Sequence, residues 1–270
     1  MKKIILVTGA SSGMGTEFAR QLAHNRQADE IWLVARRKER IKLLAQEIEN
    51  TCIIKTKILA EDISGSSAYQ KFKSLFKQEF ELSTKDEGFV IDTLVNNAGF
   101  GTYGPFAETP IDKQLSMVEI NVNSLTAICG AALPYLQKGS RILNVASLAA
   151  YIPLGNFAVY AATKSYVLSF TLALAAELKD FGIKVMALCP GPVSTEFAQV
   201  ASNGARKEVL KGKPADRVVS HALKKLDKNH HTAIMSLKWK FKAFMSHFVG
   251  RYFFARYTYL NEKRPYNHSS

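Results

Sequence analysis

The chain has 270 residues, 47% of them hydrophobic, which is ample for a large core in one or two domains, and its net charge is +13. Cys52, Cys129 and Cys189 lie far apart, each in an apolar run, which speaks against a disulfide framework and for buried free thiols. The six histidines show no ligand spacing with carboxylates or thiols, so no metal site is expected. The opening Met1-Lys2-Lys3 leads into an apolar run too short for a secretory signal, and no run approaches the ~18 apolar residues of a spanning helix, so the expected compartment is the cytoplasm.

Residues 3–7 are β-branched and apolar enough for a strand buried on both faces. They run into Thr8-Gly9-Ala10-Ser11-Ser12-Gly13-Met14-Gly15 and then an amphipathic helix (Phe18, Ala19, Leu22, Ala23). Glycines at such a turn let the backbone curl tightly and approach a pyrophosphate, whose charge is met by free N–H groups at the helix start. A nucleoside-triphosphate loop would require Gly-Lys-Ser/Thr, and no lysine stands here. A second strand at 30–34 is followed by Arg36-Arg37-Lys38. An acidic residue at that place would suit a ribose 2′-hydroxyl, whereas the fork of Arg36 suits a 2′-phosphate and so NADP(H) over NAD; the plainer alternative is a solvated helix start.

Residues 41–48 read as a helix and 52–59 as a strand, followed by Asp62-Ile63, which either face a ligand or cap the helix expected at 65–80. A polar loop at 82–89 precedes a strand at 91–95 and the turn Asn96-Asn97-Ala98-Gly99. Phe100, Tyr103 and Phe106 give an aromatic loop, read as one wall of a substrate pocket. A long helical pattern over 111–136 holds Asn121 between Ile120 and Val122, and a buried amide there must find partners or cost roughly 1–3 kcal/mol.

The central stretch is 144–164. A buried strand ends, Ser147 follows it, and after an apolar loop a helix presents Tyr160 and Lys164, four residues apart and so on one face. A hydroxyl at the strand's carboxyl end can meet that face over a bound molecule, because ligands of open α/β sheets sit outside those ends. The helix spans 159–178 and is apolar on more than one face, which suggests burial by a partner as well as by its own sheet. A strand at 183–188, Pro190-Gly191-Pro192-Val193-Ser194-Thr195, a lid over 197–210 and a last strand at 231–235 complete the body.

From residue 203 onward there are fifteen Lys or Arg against four Asp or Glu. If 237–259 is one helix, Leu237, Phe241, Phe244, Met245, Phe248 and Tyr252 share a side flanked by Lys238, Lys240, Lys242, His247 and Arg251. That pattern fits either a helix packed on the body or on a second subunit, or a peripheral membrane contact through 237–259; the aromatics lie within a helix pattern rather than on an open platform, which disfavours nucleic acid.

Ser147 followed by Tyr160-Ala-Ala-Thr-Lys164, the Thr-Gly-x-x-x-Gly-x-Gly turn, Asp62, Asn-Asn-Ala-Gly, Asn121 and Pro190-Gly191, in this order, resemble the short-chain dehydrogenase/reductase family over about residues 2–198. The resemblance implies a Rossmann-type, doubly wound parallel α/β sheet in a single catalytic domain at 1–236, with a lid at about 194–215 and a basic extension at 237–270. It implies that Gly9, Ser11, Ser12, Gly13, Met14 and Gly15 hold the cofactor's phosphates and that Asp62 and Ile63 touch its adenine. It places the backbone at Asn97 and Gly99 close to the cofactor, Asn96 as a tie within the sheet, Pro190 and Val193 at the nicotinamide, and Thr195 near the phosphates. Ser147, Tyr160 and Lys164 would be catalytic, with Asn121 fixing a water linked to Lys164. Relatives commonly pair through the helices carrying Asn121 and Tyr160, so a dimer or tetramer is expected.

The implied chemistry is hydride transfer between NADP(H) and a carbonyl or secondary alcohol, with Tyr160 as acid or base, its pKa lowered by Lys164 together with the charge of oxidised nicotinamide. Phe100, Tyr103, Tyr151, Ile152, Leu154 and Phe197 suggest an apolar substrate such as a ketoacyl, steroid-like or xenobiotic ketone. An NAD-linked alcohol dehydrogenase, and an NADP-sensing interaction protein with little turnover, are the alternatives; the intact Ser147, Tyr160 and Lys164 argue against the second.

Overall fold

In the computed structural model of the chain, residues 1–65, 67–82, 88–209, 211–246 and 248–268 are described. Five strands build most of the sheet: β1 (Lys2–Thr8), β2 (Glu30–Val34), β3 (Lys55–Leu59), β4 (Phe89–Asn96) and β5 (Arg141–Val145). They are followed by β6 (Lys184–Leu188), the short β7 (Val193–Ser194) and β8 (Lys213–Pro214), which pair only with each other, and β9 (Thr232–Ala233). The main sheet runs β3-β2-β1-β4-β5-β6-β9, every pairing parallel. The chain moves outward from β1 to β3 on one side and returns to β4 on the other, so a crevice opens between the carboxyl ends of β1 and β4, where such sheets hold ligands.

The helices are α1 (Gly13–Asn25), α2 (Lys38–Thr51), α3 (Ala68–Leu82), α4 (Ile111–Val118), α5 (Leu125–Ala132), α6 (Ala158–Glu177), α7 (Phe197–Ala201), α8 (Ala215–Asp227), α9 (Leu237–Met245) and α10 (Arg251–Asn261). Strand side chains alternate between faces. Ile5 and Val7 of β1 therefore join Phe18, Leu22, Ile41 and Val218 of α1, α2 and α8, whereas Ile4 and Leu6 join Phe72, Phe76, Ile128 and Val167 of α3, α5 and α6. Both faces of the sheet are covered, which is why its inner strands β1 and β2 read as near-continuous apolar runs, while the edge strand β3 (Lys-Thr-Lys-Ile-Leu) does not. Residues 111–135 and 158–177 are long and apolar enough to cross a bilayer by composition, but about half of each lies buried within the fold.

A buried polar ladder crosses this core. Asn96 Nδ2 on β4 donates to Asn144 Oδ1 on β5 at 2.9 Å, and Asn144 Nδ2 donates to Thr171 Oγ1 on α6 at 3.0 Å.

The structure redraws several expectations. The strand expected from residue 52 begins at Lys55, and Cys52 is only partly buried, beside His24 Nδ1 at 3.4 Å, whereas Cys129 and Cys189 are buried. Residues 83–87 of the expected 82–89 loop, Leu210 of the lid and His247 lie outside the described residues. The pattern at 111–136 is interrupted by a turn of π-helix, Glu119–Ser124, that carries Asn121. The single helix expected over 237–259 is two, broken before Gly250, which stands at the start of α10 with extended backbone (φ −55°, ψ 128°).

Candidate active site

The glycine turn is closed by contacts that exclude larger residues. A Cβ on Gly15 would lie 2.0 Å from the Gly9 carbonyl oxygen, and Gly9 itself has φ +67° with Ala98 and the Asn97 side chain against it. Gly15 thus lets α1 dock on the loop but does not line the groove, whereas Gly9, Ser11, Ser12, Gly13 and Met14 do. The Thr8 hydroxyl accepts from the N–H groups of Asn97 and Ala98 at 3.0 Å each, and Asn97 Nδ2 donates to the carbonyls of Thr8 and Gly9. The β1 and β4 turns are thereby stitched into one wall.

The groove, about 350 Å³, runs from Arg36 and Asp62 at one end, past Ile63, Asn97 and Gly99, to Tyr160 and Lys164 at the other. Arg36 has no hydrogen bond or ion pair among the described residues, and its charge helps lower the pKa of nearby Asp62. The chief cause of that lowering is the pair of bonds Asp62 Oδ1 accepts from the Ser64 N–H and hydroxyl, at 2.9 and 2.7 Å. Asp62 therefore closes a local turn rather than capping α3, which starts at Ala68. Arg37, marked by no motif, joins the site: its guanidinium donates to Ser11 Oγ (3.1 Å), Ser12 Oγ (2.6 Å) and Glu196 (2.8 Å), and Arg40 holds Glu196 from the other side.

A second cavity of about 610 Å³ adjoins the first, and Met14, Tyr160, Pro190, Thr195 and Phe197 line both. Ser147 faces only this second cavity and Lys164 only the groove, so Tyr160 stands at the junction with one helper on each side. Val193, expected at the cofactor, lines the second cavity, and its backbone pairs with Lys213. Phe100 lines the groove rather than the substrate side, and Phe106 is 56% exposed on a one-turn helix outside both. Tyr103, Tyr151, Ile152 and Leu154 line this second cavity, as does Phe197.

Each catalytic candidate is held by its element. Ser147 Oγ accepts from Ala149 N–H at 3.1 Å in the turn after β5. Lys164 Nζ donates to the Val145 carbonyl at 2.7 Å. Asn121 Oδ1 accepts from Phe100 N–H at 3.1 Å, and its Nδ2 donates to Phe100 O and Thr163 Oγ1, both at 3.0 Å. Its amide is thus largely committed to the protein, with one Oδ1 lone pair left.

Burial raises the Tyr160 pKa well above that of an ordinary phenol, while the Ser147 hydroxyl pulls the other way. Burial likewise pulls Lys164 down to about 8, with the Cys189 thiol opposing it. Burial is the chief cause of the raised phenol, and Lys164 directs its ammonium to Val145 O.

The sequence matches the short chain dehydrogenase family over residues 3–206. The chain is a short-chain dehydrogenase. Within the family it is 34% identical over 210 residues to the NADP-dependent 3-hydroxy acid dehydrogenase of Schizosaccharomyces pombe, covering 76% of this chain and 77% of that one. It is 31% identical to the very-long-chain 3-oxoacyl-CoA reductase of Rattus norvegicus, covering 81% and 67%. A short-chain dehydrogenase from Sphingobium yanoikuyae, solved with NADPH, superposes with a TM-score of 0.76 at 25% identity over 91% of this chain and 93% of that one. As an oxidoreductase of this family, the chain carries both the glycine turn and the Ser147, Tyr160 and Lys164 set intact.

The far wall of the second cavity comes from beyond the matched region. Trp239, Lys242 and Ala243 of α9, Asn261 at the end of α10 and residues 262–264 line it, next to Arg206, the last residue of the matched region. Trp239 packs on Gly191, where a Cβ would fall 2.8 Å from its Nε1. Arg264 donates to Gly155 O at 2.8 Å and lies 5.4 Å from the centre of the Phe157 ring, and Arg206 donates to Lys263 O at 2.7 Å. No motif marks these residues; only the return of the chain brings them in.

Proposed function

We propose that this chain is an NADP(H)-dependent carbonyl reductase whose substrate joins an apolar body to an acidic group. The observation that carries the reading is the meeting of two cavities at Tyr160, one with the unpaired Arg36 guanidinium at its far end, the other walled by rings and cations. The groove fits a dinucleotide: the Gly9 and Gly15 cradle leaves no room for a Cβ, and Ser11, Ser12 and Arg37 offer donors where a pyrophosphate would lie. Arg36 would pair with a 2′-phosphate through parallel donors.

When bound, the reduced nicotinamide supplies the hydride. Tyr160, kept protonated by burial, donates to the substrate oxygen, and Ser147 holds that oxygen from the other side as its charge develops. Lys164, charged below about pH 8, stands on the groove side of the phenol to favour its ionised form once the proton has left. Asn121 keeps one acceptor position for a water beside Lys164; Gly99 abuts both side chains.

Tyr103, Phe157, Ile152 and Leu154 form an apolar wall, while Arg206, Lys242, Lys263 and Arg264 face a single carboxylate, Glu262. This excess of cations supports a ketoacyl compound over a neutral steroid-like or xenobiotic ketone, in keeping with relatives named for an oxoacyl-CoA and a hydroxy acid. Leu115, Tyr166 and Leu172 on the outer faces of α4 and α6 are 57%, 39% and 41% exposed, and this supports a homo-oligomer formed through those helices.

The test is NADPH-dependent turnover over a panel of ketones, each carboxylate paired with its neutral amide. The reading expects turnover with the acids favoured and its loss in Tyr160→Phe. A variant as active as wild type throughout the panel would overturn it.

A further inference from the structure

Between Asp227 and Glu262 the chain has no carboxylate side chain and six Lys or Arg. Within the same stretch, Phe241, Phe244, Phe248, Tyr252 and Phe253 are 64%, 59%, 69%, 82% and 62% exposed. These rings do not belong to a loose tail. α9 is fixed by Trp239 on Gly191 and by buried Ala243 and Ser246; α10 is fixed by buried Thr258, whose Oγ1 accepts from Gly155 N–H at 2.8 Å. Asn156 Nδ2 adds a bond to the Tyr259 carbonyl at 3.0 Å. One side of the helix pair is thus bolted to the body by small residues, and the other presents aromatics in a fixed array.

Lys238, Lys240, Arg251 and Arg256 are exposed and make no ion pair among the described residues. A second copy meeting this face about a two-fold axis would set cations against cations with no carboxylate between them. Helices of nine and eleven residues are also too short to span a bilayer, which takes about 20. Aromatic side chains interleaved with cations suit the headgroup layer, where rings enter the acyl boundary and lysines and arginines meet lipid phosphates.

We propose that the outer face of α9 and α10 docks on an anionic lipid bilayer, lying in its surface. Removing residues 237–270 would be a poor test, since Trp239 and Arg264 wall the substrate cavity. Point substitutions of exposed residues avoid this. The experiment is co-sedimentation of the full chain with vesicles of phosphatidylcholine alone or mixed with phosphatidylglycerol. Wild type should partition at least about tenfold better onto the anionic vesicles, and added salt should weaken that binding. Phe241→Ser/Phe248→Ser/Tyr252→Ser and, separately, Lys240→Glu/Arg251→Glu should each lose most of it while binding NADPH as wild type does. Partition indifferent to lipid charge, or unchanged in both variants, would overturn the proposal. So would a dimer, measured by sedimentation equilibrium, that these variants dissociate, because the face would then belong to a second copy.

Discussion

The ring of Phe157 lies on that of Tyr160, centroids 4.1 Å apart and planes 15° from parallel. Phe157 lines the second cavity and not the groove, so it fixes the phenol's pitch without touching the nucleotide site. Phe157→Leu keeps an apolar side chain but gives up the stack. Its kcat/KM for the ketone should fall roughly ten- to a hundredfold, with the Kd for NADPH unchanged. A parallel loss of NADPH affinity would show that the stack supports the whole site.

Arg36 makes no hydrogen bond or ion pair among the described residues, whereas Arg37 is already occupied by Ser11, Ser12 and Glu196. Arg36→Ala should weaken NADPH by about 1.5–3 kcal/mol, roughly ten- to a hundredfold in Kd, and leave NADH almost unaffected. Arg37→Ala should weaken both nucleotides alike. Quenching of Trp239, beside Gly191, gives the titration signal, since Trp32 is wholly buried.

The pH profile follows from burial. Tyr160, raised well above its ordinary value, keeps its proton through the neutral range, so loss of that proton does not limit reduction there. Lys164, lowered to about 8, is charged below that pH and neutral above it. Reductive kcat/KM should be level below pH 8 and decline above it, and oxidation, which needs the phenolate, should rise with pH. Lys164→Arg keeps its charge beyond pH ~12; in whatever activity it retains, the break near 8 should vanish. A break that persists would assign it to another group.

Gly15→Ala probes the cradle with a single methyl group. Its Cβ would lie 2.0 Å from Gly9 O, so either α1 or the turn must move. We expect unfolding in urea to show a loss of roughly 1–3 kcal/mol, with NADPH binding abolished in the fraction that folds. Wild-type affinity would mean that the turn can widen at no cost.

The features legible in sequence were those that local chemistry dictates. Glycines without room for a Cβ, a phenol and an amine one helical turn apart, and an amide that must be satisfied in a helix each announce themselves at one position. Asn96 was placed as a tie within the sheet by the family resemblance, and its Nδ2 donates to Asn144 Oδ1 on the neighbouring strand. Phe106 misled because aromatics in a loop look alike whether they face a cavity or solvent. Trp239 and Arg264 were invisible for a different reason: they reach the cavity only through the path of the chain after β9, which no local pattern encodes. The break between α9 and α10 did have a signal, Gly250, hidden within an otherwise convincing apolar stripe.

The ladder of Asn96, Asn144 and Thr171 has a consequence for accuracy rather than for strength. α6 is apolar around most of its circumference, and oily surfaces of that kind tolerate slippage. A slip of one residue would swing every side chain by about 100° and carry Tyr160 away from Ser147. Directional bonds to Asn144, and from Asn121 to Thr163 one face over, are satisfied at a single angle of the helix. They work as an index pin, setting the dial on which the reactive phenol is mounted.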